Sequence, residues 1–436
     1  MPRRLKSANP IPFLRSGAFA LAAAVAVVRV GGADTTSVTV PGDVVLAQQD
    51  LQYEGAFRLP AGLHAGGQAN AGFEYGGTAI GFNPANRSLF IVGHDWDQLV
   101  GEVGIPDVRT GTLDDLSTAP VLQPLMDPTE GTLQAINPSD PNSKKIGGLF
   151  PVGNQLLISA YSYYDGAGTQ SLSHFVRPIS LAAKGHVAGP YRVGAVGAGF
   201  TSGYLASVPP AWQGLLGGTL LAGNCCLGVI SRTSYGPAVF SFRLEALGQK
   251  PAPAGALVYY PEAHPSLGAW DGNSAMFNGT SSVRGVVFPE GTRSVLFFGR
   301  RGIGPFCYGP GTDDKQKADK PADGGVDRYC FDPADGSKGV HGFPYAYSVW
   351  AYDAADLAAV NRGQKRPWDV KPYAVWQLSL PYATHTGIGG ATYDASTQQL
   401  YVSQTYADGT LPVIHVFRIL KAGPRPVATS SGNSAR

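Results

Sequence analysis

Short apolar runs of four to eight residues, broken by Gly, Pro, Asn and Asp, recur along the chain, and no stretch keeps a 3.6-residue apolar period over helical length. The runs fall into a repeated unit: small residues, an apolar run, a turn, and a second apolar run that ends in a loop. The unit reads GGTAIGFNPANRSLFIVGH from Gly76, IGGLFPVGNQLLISAYSYYD from Ile146, and SGYLASVPPAWQGLLGGTLLAGNCC from Ser202. It returns as VRGVVFPEGTRSVLFFGRRG from Val283 and as IGGATYDASTQQLYVSQTY from Ile388. The turns carry Asn83-Pro84, Gly153-Asn154, Pro289-Glu290-Gly291 and Asp394-Ala395, residues that supply hairpin dihedrals.

Two further strand-like runs follow each of the first four units: QLVGEVGIP and PVLQPL, SHFVRPISL and GPYRVG, AVFSFRLEAL and ALVYYPE, YSVWAYDAADL and YAVWQLSLP. The fifth unit is followed only by PVIHVFRIL. The segment QYEGAFRLP from Gln52 resembles the fourth runs and has no unit before it. Docked beside PVIHVFRIL it would complete the last sheet and remove an open edge. The pattern therefore predicts an all-β fold: a single β-propeller of about five four-stranded blades, closed by an N-terminal strand. A degenerate blade within Glu262 to Ser282 would make six, and stacked hairpins in a β-sandwich are the other architecture to weigh. The run Asp353 to Val360 reads as a short helix after a strand.

Composition narrows this picture. Charged residues make up 15% of 436, against about 25% in an average protein. With 58 Gly and 34 Pro, that favours tight turns, and 44% hydrophobic content argues against disorder. A formal net charge of +2 without any Lys/Arg stripe gives no sign of a nucleic-acid partner.

The N-terminus reads as an export signal. Arg3, Arg4 and Lys6 form a basic region, Ala18 to Val28 an apolar one too short to span a bilayer, and Gly31, Gly32 and Ala33 a cleavage site. The expected organisation is a signal peptide over 1–33, a linker over 34–50, and a propeller domain over 51–420 with an insertion at 302–343. A disordered tail over 421–436 completes it. The mature protein is expected to be secreted or periplasmic, with no membrane span. The four cysteines suit an oxidising compartment. Cys307 and Cys330 flank a polar insertion that a disulfide would close. The neighbours Cys225 and Cys226 suit either a vicinal bond or bridges to that pair, so the three connectivities stay open. No CxxC is present, and the acidic residues Asp313, Asp314, Asp323 and Asp327 lack the order of a calcium loop.

In a propeller the first strand of each blade lines the central channel. The connections from fourth to first strand and from second to third emerge on one face, where a site is expected. Candidate acid/base groups there are His94, His174, His385, Tyr164 and Tyr235, with Arg232 and Arg300 as charge-neutralising partners. Candidate binding groups are Trp96, Tyr161, Arg284, Arg301, Asn224 and the Cys225–Cys226 edge. His64 and Asn273 fall in the same loop sets, and His186 and His415 fall outside them. Each of these is equally a residue of a solvated loop when taken alone; the concentration on one face is what suggests a pocket.

The GGTAIGFNP and IGGATYDAST units resemble those of secreted bacterial β-propeller proteins over roughly residues 50–420, a likeness of architecture and not of chemistry. Five-bladed families of glycoside hydrolases and invertase-like enzymes place catalytic carboxylates on the innermost strands. Here Gly76-Gly77 and Gly147-Gly148 stand there, which counts against a two-carboxylate glycosidase. Three functions remain. One is a polysaccharide lyase or related carbohydrate-active enzyme, in which Arg neutralises a uronate carboxylate while His or Tyr moves the proton. Another is a non-catalytic scaffold that binds carbohydrate or protein. The last is an oxidoreductase using a divalent metal ion held by His from different blades. The expected partner is a polysaccharide or small-molecule ligand at the channel mouth.

Overall fold

The computed structural model describes residues 44–62, 70–140, 144–262, 264, 267–272, 276–325, 327–382 and 387–420. The expected signal peptide and tail, together with His64, Asn273 and His385, lie outside the described residues.

The chain folds as a five-bladed β-propeller, each blade a four-stranded antiparallel sheet. The first blade is Ile80–Asn83, Ser88–Val92, Val100–Gly104 and Val121–Met126. The second is Lys144–Val152, Gln155–Ser162, His174–Pro178 and Ala188–Tyr191. The third is Leu205–Ser207, Leu220–Ala222, Val239–Phe242 and Ala254–Val258. The fourth is Ser282–Val287, Ser294–Gly302, Tyr345–Asp353 and Ala374–Leu378. The fifth is Ile388–Asp394, Gln399–Asp408 and Leu411–Ile419, completed by Leu51–Arg58 from the other end of the chain.

That closing strand pairs from Leu51↔Ile419 to Arg58↔Val413, and Arg58 Nε meets Asp408 Oδ2 at 2.7 Å. Gly55 sits in the bulge with φ +137°, where a Cβ would strike the Arg109 carbonyl. The Ala56 N–H donates to that same carbonyl at 2.7 Å, so the closing strand is tied to the first blade as well. The expected six-blade and sandwich alternatives do not occur, because the segment around Glu262 to Ser282 carries no extra sheet among the described residues.

Every innermost strand touches the innermost strands of both neighbouring blades, which closes the ring. Apolar clusters fill the wedges between blades; the largest, between the third and fourth, holds Trp212, Tyr235, Phe297, Trp350 and Tyr352. Near the axis, where the wedges narrow, glycine takes over. A Cβ on Gly148 would lie 2.6 Å from the Gly203 oxygen, and one on Gly285 would lie 2.5 Å from the Ala391 nitrogen.

The expected helix after the third strand of the fourth blade is present as Ala354–Asn361, capped by Asp353 Oδ1 accepting from the Ala355 N–H. A second helix, Pro210–Leu216, occupies what reads in sequence as a hairpin turn. Its signals are local: proline at its first residue and Gly217 with φ +77° at its end. Trp212 anchors it, donating from Nε1 to the Thr292 carbonyl at 3.1 Å.

Between Gly302 and Tyr345 the chain leaves the fourth blade and forms a small sheet of Cys307–Thr312, Cys330–Phe331 and Lys338–His341. The Cys307–Cys330 disulfide ties this sheet, and Cys225 and Cys226 bond to each other. No helix among the described residues is long and apolar enough to cross a membrane.

Candidate functional site

The innermost strands of the second, fourth and fifth blades share a local irregularity. In each, the strand register slips by one residue between Ile146 and Gly148, between Val283 and Gly285, and between Ile388 and Gly390. The extra residue of a β-bulge is re-aimed out of the regular pleat. In two blades that residue is glycine, Gly147 and Gly389; in the fourth it is Arg284. One blade of the repeat therefore carries a guanidinium where the others carry a hydrogen atom.

Arg284 lines a cavity of about 700 Å³ built from both expected loop sets. Lys145 and Tyr161 come from the second blade, Arg300 from the fourth, Thr405 and Tyr406 from the fifth. Tyr75 enters from the segment before the first blade, Asp95 from a connection within it, and Asp335 from the inserted sheet region. Tyr75, Tyr161, Tyr163 and Tyr406 give the cavity aromatic walls.

The charges are unequally satisfied. Lys145 Nζ bonds both the carboxylate and the backbone oxygen of Asp95, each at 2.6 Å, so this pair is internally neutral. Asp335 Oδ1 accepts from the Ser337 N–H at 2.9 Å and from its hydroxyl at 2.6 Å. Arg284 donates from Nη1 to Tyr161 Oη at 2.8 Å, and no carboxylate among the described residues forms an ion pair with it. The Tyr161 phenol pushes the Arg284 pKa up against the effect of burial, so the guanidinium stays charged. Arg300 lies 4.2 Å over the Tyr345 ring, a cation–π contact. Behind that ring, Tyr345 donates to Asp332 Oδ2 at 2.7 Å, and His341 Nδ1 meets the same oxygen at 2.9 Å. Burial opposes charge on both partners. Hydrogen bonding outweighs it, holding Asp332 below the usual carboxylate range and His341 above the usual imidazole range.

Of the candidates read from sequence, the structure brings Tyr161, Arg284 and Arg300 together in this cavity. Trp96 stands beside it, lining an adjoining cavity of about 450 Å³ with Asp95, Lys145 and Tyr163. His94 is at the rim, its ring 5.2 Å from that of Tyr75 and its Nδ1 accepting from the Trp96 N–H.

Other candidates lie elsewhere. His174 is fully buried in the third strand of the second blade, with Nδ1 2.8 Å from Ser173 Oγ, and burial drives its pKa down to about 3. No solute reaches it there. Tyr235 is buried against Phe277 in the wedge between the third and fourth blades. Arg232 donates to the carbonyls of Asp165 and Gly166, each at 3.0 Å, and so staples two blade connections. Tyr164 is half exposed on the loop side of that staple, outside the cavity lining. Arg301 follows Arg300 on the same strand and, by the alternation of strand side chains, leaves the cavity that Arg300 lines. Asn224 is buried, its amide 3.4 Å from Ser202 Oγ, and Cys225 lies in the apolar wedge with Cys226 packed against it.

Sequence reading did not single out Lys145 or Asp335. Lys145 was within reach: it stands two residues before Gly147, at the level of the repeat occupied by Ser282 before Arg284 and Gly387 before Gly389. Asp335 carries no such signal, because only the folded insertion brings it to the wall. Among the described residues no three His, Cys, Asp or Glu side chains converge as a metal site would need.

The fold and cavity define a class: a five-bladed propeller whose axis opens into a tyrosine-walled, cationic cavity. No protein-family model matches the chain, and no curated protein sequence does. Among solved structures it is similar to a luciferin-regenerating enzyme at 8% identity and TM-score 0.33, over 81% of this chain and 94% of that one. It is also similar to a subtype N10 neuraminidase-like protein of A/little yellow-shouldered bat at 8% identity and TM-score 0.31. That match covers 85% of this chain and all of the other. Neither likeness bears on the chemistry of the site.

Proposed function

We propose that this is an exported propeller that binds an acidic saccharide at the axial cavity and cleaves it by β-elimination. The observation that carries the reading is the Arg284–Tyr161 pair, 2.8 Å apart, in a cavity shared with Arg300. Guanidinium groups suit the planar carboxylate of a uronate, and tyrosine faces suit a sugar ring. Export rests on the N-terminal pattern and on two disulfides, a usage typical of oxidising compartments.

In the reaction, Arg284 and Arg300 neutralise the uronate carboxylate, which stabilises charge developing at the adjacent carbon. Tyr161, as phenolate, takes the proton from that carbon. The carbon–oxygen bond to the next sugar breaks, its electrons leaving with the oxygen, and a carbon–carbon double bond forms behind it. Tyr161 returns the proton to the departing oxygen. Atoms and electrons balance without water or an oxidant. A second reading, capture without turnover, is favoured by one fact: no described histidine lines the cavity, so no imidazole is at hand there to move the proton.

The test is incubation with pectate, alginate and hyaluronan, following ultraviolet absorbance of the unsaturated product, beside calorimetric binding. Turnover is expected, with Tyr161→Phe reducing it by roughly 10²–10⁴-fold and Arg284→Gln weakening binding. Binding without product leaves the capture reading; neither binding nor product removes both.

A further inference from the structure

The cavity around Arg284 does not end at its own wall. Its neighbour of about 450 Å³ shares three of its lining residues, Asp95, Lys145 and Tyr163, and adds Trp96. Trp96 is 82% exposed, the most exposed large apolar side chain among the described residues. An exposed indole in a loose loop would mean little. This one sits on a braced turn: the backbone N–H of Trp96 donates to His94 Nδ1, and the N–H groups of Asp97 and Gln98 both donate to the His94 carbonyl. Gln98 Nε2 holds the Asp95 carbonyl at 2.6 Å, and Lys145 clamps the same residue from the next blade. The turn that carries Trp96 is thus held in place, with the indole exposed on the groove that adjoins the cationic cavity.

We propose that the Trp96 groove is a second saccharide subsite, so that the ligand is a linear acidic oligosaccharide with one uronate at Arg284 and a following ring stacked on Trp96. This rests on the saccharide reading of the cavity given above. Arg284 lines only the first cavity and Trp96 only the second, while the neutral Lys145–Asp95 bridge lines both, so a ligand that meets both residues spans the two. The groove holds no further unpaired charge of its own, which fits a ring held by its apolar face and a chain whose acidic group is read at Arg284.

The experiment measures calorimetric affinities of the full chain for galacturonic acid and its dimer, trimer and tetramer, and for the mannuronate series. The readout is the trimer-to-monomer affinity ratio in wild type, Trp96→Ala and Trp96→Phe. The expected wild-type ratio is about tenfold, or ~1.4 kcal/mol; Trp96→Ala collapses it towards one, and Trp96→Phe restores part of it. A ratio unchanged in Trp96→Ala overturns the second subsite and leaves the cavity reading standing. Failure of the wild type to bind any member of either series overturns the cavity reading, and the subsite falls with it. Because Trp96 is exposed, melting temperatures of the variants serve as the folding control.

Discussion

Replacing Gly147 by alanine tests how closely the blades meet at the axis and what that closeness does for the site. An added Cβ would lie 2.6 Å from Gly203 Cα, 2.7 Å from the Ser202 oxygen and 3.0 Å from Tyr161 Cδ1. Carbon atoms settle at about 3.5–4.0 Å, so the overlap is close to 1 Å. Two of the three obstacles are backbone of the next blade, and no rotamer relieves them. The second and third blades must part locally, at roughly 1–3 kcal/mol by analogy with overpacked cores. For a folded unit of roughly 370 residues the unfolding entropy is about 0.8 kcal/mol/K. The melting temperature should then fall by about 1–4 °C. The third contact carries the effect to function: the Tyr161 ring moves, and its hydroxyl leaves the 2.8 Å contact with Arg284. Differential scanning calorimetry and ligand titration read the two consequences separately. Gly214, with open space around it in the helix Pro210–Leu216, is the control, where alanine should be neutral or stabilising. A Gly147→Ala protein that melts and binds as the wild type does would show that the innermost strands are further apart than described.

Two other perturbations follow from the same packing. Burial pushes His174 and His415 down to about 3, so the folded protein refuses protons that the unfolded chain accepts near 6.5. Each then withdraws stability as pH falls below 6.5, roughly 2 kcal/mol at pH 5. His341, raised by Asp332, acts in the opposite sense: its contribution is present below 6.5 and lost as pH rises through the folded value. Imidazole nitrogen shifts at pH 5 should show His174 and His415 neutral; protonation of either there would contradict its burial. Replacing Cys307 and Cys330 by serine removes a cross-link between residues 23 apart in sequence, worth about 3 kcal/mol by loop-closure entropy. The loss should appear as faster amide exchange confined to 307–341 and weaker ligand binding through the Asp335 wall. Unchanged exchange there would mean the sheet holds without its clamp.

The blades were legible because their information is local. Apolar alternation, Asn-Pro and Gly-Asn turns and the repeat from Gly76 to Ile388 specify hairpins within 20 residues or so, and the unpaired run at Gln52 matches the place left beside Leu411–Ile419. The helix at Pro210 escaped because PPAWQG reads equally as a turn; Trp212 settles it only by finding Thr292 in the next blade. The site is a different kind of object. Arg284 and Tyr161 lie 123 positions apart and meet because a bulge re-aims one and the ring of blades brings the other. His174 and Arg300 look alike as strand-end polar residues, yet one faces a wedge of apolar side chains and the other the cavity. The amino-acid sequence by itself determined the strands and their turns, since each depends on neighbours along the chain, and its unpaired run at Gln52 marked the partner of the last sheet. Which of the polar residues share one cavity, and which lie sealed in the wedges, was decided only by tertiary structure, because strand facing and blade angle are set by packing at a distance.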